Sequence, residues 1–117
     1  DQAEVDKYIA DPLCGFDFTV QGWLDVLDGV VEIGRADNIE RVPKSLPIYV
    51  FSGALDPVGG NTRGVQWLLD AYARAGLQNV THRFYADGRH EMLNELNRDE
   101  VHADFTSWLD AMLARAR

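Results

Sequence analysis

The sequence predicts an α/β fold in which a small parallel sheet is flanked by helices. Three observations point to it. The run LPIYVF at 46–51 is apolar on both parities, the pattern of a strand covered by helices on both faces. A second β-rich run, VTHRFY, occupies 80–85. Between them lies a stretch with helical periodicity, and a strand–helix–strand crossover of that length implies that the two strands run parallel.

Taken in order, residues 3–10 predict a short helix closed by Asp11-Pro12, because the residue before a proline is pushed out of helical geometry. The loop PLCGFDF follows. Val20, Trp23, Leu24, Leu27, Val30 and Val31 then recur at three- and four-residue steps, which predicts a helix over about 20–33 with Thr19 as N-cap and Gly34 as its stop. Residues 35–46 are mixed and polar and read as a connection. The first strand spans about 46–52, with Pro47 at a position that needs no ladder donor. A loop punctuated by glycine and proline runs from 52 to 60, and Val65, Leu68, Leu69 and Tyr72 mark one face of a helix ending at Gly76. The strand at 80–85 carries His82 and Arg83 and so reads as peripheral. Val101, Phe105, Trp108, Leu109, Met112 and Leu113 define a terminal helix behind Asn97 and Glu100, a pair resembling a capping box, with Arg115 and Arg117 complementing the dipole of its last turn. The order is helix, helix, strand, helix, strand, helix.

Composition narrows the functional classes. A net charge of −8 argues against binding nucleic acid or an anionic membrane surface, since both demand a cationic face. With 46% hydrophobic residues spread along 117 positions, the chain can bury a core. The single Cys14 cannot form an internal disulfide and reads as a small buried or half-buried hydrophobe, which fits a reducing, cytoplasmic location. No apolar run approaches the about 20 residues that span a bilayer, so no transmembrane segment is expected. The opening residue is Asp1 rather than Met, and residues 1–8 read like the middle of a helix, which suggests the later part of a longer protein.

Two loops follow the predicted strands at their carboxyl ends, where open parallel sheets place their reactive groups. The first is Ser52-Gly53-Ala54-Leu55-Asp56-Pro57-Val58, and the second is Asp87-Gly88-Arg89-His90-Glu91. An aspartate and a histidine at neighbouring strand ends can meet, the carboxylate orienting the imidazole and stabilising its cation. Taken singly, an Asp before Pro is more often a turn residue and a loop histidine more often a solvated one. The pairing at consecutive strand ends is what favours chemistry.

The segments LPIYVFSGALDPVGGNTRGV and YADGRHEMLNE resemble the closing part of serine α/β-hydrolases of the lysophospholipase and monoacylglycerol lipase type. In that family the acid stands in a G-x-x-D-x-V setting, matched by Gly53, Asp56 and Val58. The histidine stands in a G-x-x-H-E-x-x-x-E setting, matched by His90, Glu91 and Glu95, with Gly88 two residues ahead of the histidine rather than three. The resemblance covers about residues 46–113 and implies the C-terminal portion of an α/β-hydrolase fold. It assigns 46–117 to the core segment bearing acid and histidine, and 1–45 to the end of a lid insertion with a connecting helix. It implies hydrolysis of lipid-like carboxylic esters by a Ser-Asp-His mechanism, with Asp56 and His90 catalytic and no cofactor or metal. Phe16, Trp23, Leu27 and Val58 would contact the substrate, although core packing is the commoner role for such aromatic and aliphatic residues.

The nucleophile is missing. In this fold it sits in G-x-S-x-G ahead of the acid, and the only serines, Ser45, Ser52 and Ser107, are not flanked that way. The chain alone is therefore expected to be inactive, and the rival expectation is a non-catalytic association module or a degenerate hydrolase relic. His90-Glu91 begins like H-E-x-x-H, but Asn94 stands where the second ligand belongs, so no zinc site is expected. His82 and His102 read as surface or boundary residues, and Glu91 and Glu95 as residues that cap or pair locally with Arg89 and Arg98. The first strand has one parallel partner in this chain. Its other edge is expected to pair with the missing N-terminal half of the fold or with a second copy, helices bearing Trp23 and Trp67 adding apolar area.

Overall fold

The structure is a computed structural model of the chain that describes residues 1–115. Two compact units divide at Arg41 and Val42.

The first unit is helical. Helix α1, Gln2–Ala10, starts at Asp1, whose carboxylate accepts the Ala3 N–H, so this segment opens with its own cap. It ends at Asp11, held in extended geometry before Pro12 as expected. Helix α2, Val20–Ile33, is capped by Thr19, whose hydroxyl accepts the Gly22 N–H at 3.0 Å, and Gly34 closes it. The expected connection from residue 35 holds one element the periodicity missed, helix α3, Ala36–Glu40. The side-chain amide of Asn38 ties α3 to α2 through the Glu32 backbone carbonyl and carboxylate, and Ile39 is buried. Five residues are too few for a period of 3.6 to register. The apolar positions of α2 are exposed rather than packed in a core: Val20, Trp23, Leu24, Leu27, Val30 and Val31 all face open space. Cys14 is half-buried, as read from the sequence.

The second unit carries the sheet. Strand β1, Ile48–Gly53, pairs in parallel with β2, Val80–Tyr85, in a register from Ile48 opposite Val80 to Gly53 opposite Tyr85. Pro47 falls just before the ladder instead of opening it, consistent with its missing N–H. Helix α4, Arg63–Arg74, makes the crossover. Gly76 stands at φ +78 beyond its end, and the N–H groups of Gly76 and Leu77 return to the Ala73 and Tyr72 carbonyls, a Schellman closure that needs the left-handed geometry glycine supplies. Helix α5, Arg98–Arg115, ends the described chain; Arg117 lies outside it. At its start Asn97 and Glu100 meet side chain to side chain at 3.0 Å, where a capping box would have each reach the other's backbone.

The core of this unit joins Tyr85 of β2, Met92 and Val101 of α5, with Phe51 of β1 packed against them. Val101 is 1% exposed, and burying each such side chain stabilises the fold by about 1.5–3 kcal/mol. Trp108 stacks on Tyr49, their ring centroids 5.5 Å apart. Arg83 of β2 pairs with Glu100 and Asp104 of α5, and the Tyr85 hydroxyl donates to Asp104 at 2.7 Å. Burial, and then that hydrogen bond, hold the Tyr85 phenol protonated well above its ordinary range. Ile48 to Phe51 are half-buried rather than enclosed on both faces, and β1 has β2 as its partner in a two-stranded sheet. Among the described residues no helix is long and apolar enough to cross a membrane.

Candidate active site

The two loops predicted to carry chemistry leave the carboxyl ends of β1 and β2 and are locked together by backbone. The Ala54 N–H donates to the Tyr85 carbonyl at 2.8 Å, and the Leu55 N–H to the Gly88 carbonyl at 2.9 Å, so backbone bonds join the two loops just beyond the last paired residues. Gly53 and Gly88 meet where they do. A Cβ on Gly53 would lie 2.2 Å from the Gly88 carbonyl carbon and oxygen, so only glycine permits this approach. Gly88 in turn lies under Met92, whose sulfur a Cβ at Gly88 would meet at 2.4 Å.

That lock brings Asp56 and His90 together. Asp56 Oδ2 lies 3.0 Å from His90 Nδ1, and Oδ1 accepts the Val58 N–H at 2.9 Å. The Asp56 carbonyl accepts the Asn61 N–H at 2.8 Å, closing the loop around the acid. Asp56 is 6% exposed, whereas the His90 side chain is 59% exposed. The hydrogen bond from His90 holds the Asp56 carboxyl below the ordinary carboxylate range against the opposing effect of burial, aided by the Val58 N–H. His90 is raised above the ordinary imidazole range, first by that hydrogen bond and then by the Asp56 charge. An ionised Asp56 makes Nδ1–H the donor. The lone pair of neutral His90 therefore lies on Nε2, which engages no hydrogen bond among the described residues, and an imidazole so arranged can accept a proton there.

A cavity of about 410 Å³ opens at this pair, lined by Phe51, Ser52, Asp56, Val65, His90, Glu91, Met92 and Leu93. Its walls are largely apolar side chains from the ends of β1 and α4 and from the short 3-10 turn Met92–Asn94. Most of them were not legible as site residues, because strand-end and core positions carry no spacing signature. Ser52 is buried, and its hydroxyl reaches only the adjacent Gly53 carbonyl at 3.4 Å.

The other sequence-derived candidates fall elsewhere. Val58 meets the site through its backbone N–H, while its side chain is 74% exposed and absent from the cavity wall. Phe16, Trp23 and Leu27 belong to the first unit, where all three are exposed and Trp23 meets Phe18 edge to face at 5.3 Å. Glu91 bonds with Asn94, not Arg89. The Glu95 carboxylate takes the Arg89 backbone N–H rather than its guanidinium, and the Arg98 guanidinium reaches the Glu95 backbone carbonyl. Among the described residues no group of His, Cys, Asp and Glu forms a metal-binding cluster.

Parallel strands that present an acid and then a histidine on successive carboxyl-end loops match the order of the closing part of an α/β-hydrolase. Comparison with known proteins agrees: residues 1–97 match the family model described as serine aminopeptidase, S33, and the chain belongs to that family of α/β-hydrolases. The structure superposes with a TM-score of 0.81 on the crystal structure of a highly thermostable carboxyl esterase from Bacillus coagulans in complex with glycerol, at 30% identity. The match covers 95% of this chain and 36% of the esterase, so the chain spans little more than a third of that relative's length. Among curated proteins no match is found.

Proposed function

We propose that Asp56 and His90 are the acid and base of a serine hydrolase that cleaves carboxylic esters of lipid-like substrates, of the lysophospholipase or monoacylglycerol lipase type. The nucleophilic serine is then supplied by polypeptide outside these 117 residues. The observation that carries this is the buried carboxylate 3.0 Å from Nδ1 of an imidazole whose Nε2 engages no hydrogen bond among the described residues, beside a cavity walled in part by Phe51, Val65, Met92 and Leu93. The esterase relationship supports an ester substrate.

In this reading a serine hydroxyl stands against Nε2 of His90. As the oxygen attacks the ester carbonyl, His90 takes its proton, and Asp56 stabilises the imidazolium that forms. Collapse of the tetrahedral intermediate expels the alcohol, which receives that proton from His90. Water then attacks the carbonyl of the acyl-serine as His90 takes its proton, and collapse of this second intermediate breaks the serine ester, releases the carboxylic acid and returns the proton from His90 to the serine oxygen. Residues 1–45 act as the end of a lid, with the exposed Phe16, Trp23 and Leu27 and the loop residue Val58 as contacts for an acyl chain.

A fluorophosphonate probe, which reacts with activated serines, tests the reading. The 117-residue chain should remain unlabelled. Completed by a family segment carrying G-x-S-x-G, it should label and hydrolyse nitrophenyl esters, and His90→Ala should reduce turnover by roughly 10⁴-fold or more. Full activity of the completed His90→Ala protein would dismiss the catalytic role and favour an association module.

A further inference from the structure

We infer that Glu95 is a positioning residue for His90, acting through the backbone of the residue before it. The loop from Gly88 to Glu95 reverses direction around the buried Met92 and is closed by one side-chain bond, in which Glu95 Oε1 accepts the Arg89 N–H at 2.8 Å. The acceptor is itself fixed. Leu96 N–H donates to Glu95 Oε2 at 3.3 Å, and the Arg98 N–H donates to the Glu95 carbonyl at 3.1 Å where α5 begins. A chain of bonds therefore runs from the first turn of α5 through Glu95 to the Gly88–Arg89 peptide, one residue ahead of His90.

This restraint has a specific target. The His90 ring is largely open to water, so packing does little to hold its direction, and its one described side-chain bond is to Asp56. On the carboxyl side, Glu91 bonds only to Asn94 within the same turn, the backbone bond from Asn94 N–H to the Glu91 carbonyl measuring 2.8 Å. That turn is anchored through Met92, buried against Tyr85 and Val101, so packing holds the carboxyl side of His90 while hydrogen bonds hold its amino side. On the amino side the Gly88 carbonyl is anchored to Leu55 and the Arg89 N–H to Glu95. Without Glu95 the Gly88–Arg89 peptide would be held by the Leu55 bond alone, the Arg89 N–H would turn to water, and the backbone that aims the imidazole at the carboxylate would loosen. Charge–dipole bonds of this kind are the strong ones, and the carboxylate accepts without needing the Arg89 side chain.

The catalytic meaning of this contact rests on the proposed role of His90, but the contact can be tested whatever reaction the assembled protein performs. In the 117-residue chain, NMR titration follows the His90 imidazole and the far-downfield Nδ1 proton shared with Asp56. Glu95→Ala should lower the His90 midpoint by ~0.5 of a pH unit or more and broaden that proton away. Glu95→Gln removes the charge and keeps an acceptor oxygen, so it should restore most of the midpoint and the downfield proton. Tyr85→Phe, which loses the bond to Asp104, is the stability control: it should lower the melting temperature and leave His90 unmoved. An unchanged His90 in Glu95→Ala would overturn the inference. So would Glu95→Gln falling as far as Glu95→Ala, since the effect would then be charge acting through space, or Tyr85→Phe shifting His90 equally.

Discussion

Helix α2 of the first unit and helix α5 of the second carry similar apolar repeats, yet their side chains meet different surroundings. Trp23, Leu24, Leu27 and Val30 of α2 are exposed and none of its residues is buried, while α5 seals Val101 against Tyr85 and Met92 although its Phe105, Leu109 and Leu113 are exposed as well. The first unit is held by short-range bonds, such as Thr19 to Gly22 and Asn38 to Glu32. The second is held by a parallel ladder joining residues 32 positions apart and by the meeting of Gly53 with Gly88. An amphipathic period thus predicts a helix without predicting what covers it. The candidate acid and base stand on the unit that closes its own core, as a geometry good to fractions of an ångström requires.

The sharpest test of that contrast compares two large side chains. Met92→Ala, at 3% exposure, should cost about 2–5 kcal/mol in denaturant unfolding, since it empties the core beneath the His90 loop. Trp23→Ala, whose ring is 56% exposed, should cost only about 0.5–1 kcal/mol, chiefly the edge-to-face contact with Phe18. Equal losses would erase the distinction between the units. Gly53→Ala should cost about 3 kcal/mol, because the added carbon strikes backbone that cannot rotate away. Calorimetry showing an unchanged melting temperature would mean that the two loops do not approach as closely as the structure has them.

The pair itself makes stability depend on pH in a window set by both shifts. Asp56 is lowered on folding, so its contribution is present above the unfolded carboxyl value of 3.8 and is lost as pH falls through the folded value. His90 is raised, so its contribution is complete below the unfolded imidazole value of 6.5 and is lost as pH rises through the folded one. The pair should therefore stabilise most between the unfolded values of 3.8 and 6.5, with the contribution falling away on the acid side as Asp56 protonates and on the alkaline side as His90 deprotonates. Melting temperatures across that range should differ from those of Asp56→Asn, which loses the plateau; identical profiles would show that the pair contributes nothing.

Much of this was legible in the residues. Thr19 and Gly76 mark helix ends through side-chain and backbone chemistry that is local in sequence. Asp56 and His90 could be paired because each follows a strand and parallel neighbours bring their carboxyl ends together. Other features depend on what lies across space. The five-residue α3 and the 3-10 turn at Met92 are too short to show a period. Glu95 was legible as a local partner of Arg89, but that its bond goes to the main-chain N–H rather than the guanidinium depends on how the loop folds. Likewise the half-burial of β1 depends on what covers the strand, which an apolar run cannot report.

The pairing of Asp56 with His90 is most directly tested by titrating His90 in the chain and in Asp56→Asn. An acid that orients and charges the imidazole predicts a midpoint above the ordinary 6.5, together with a downfield Nδ1 proton, and the substitution should lower the midpoint and abolish that proton. A midpoint unmoved by Asp56→Asn would contradict the pair, and with it the assignment of Asp56 as the acid of the site.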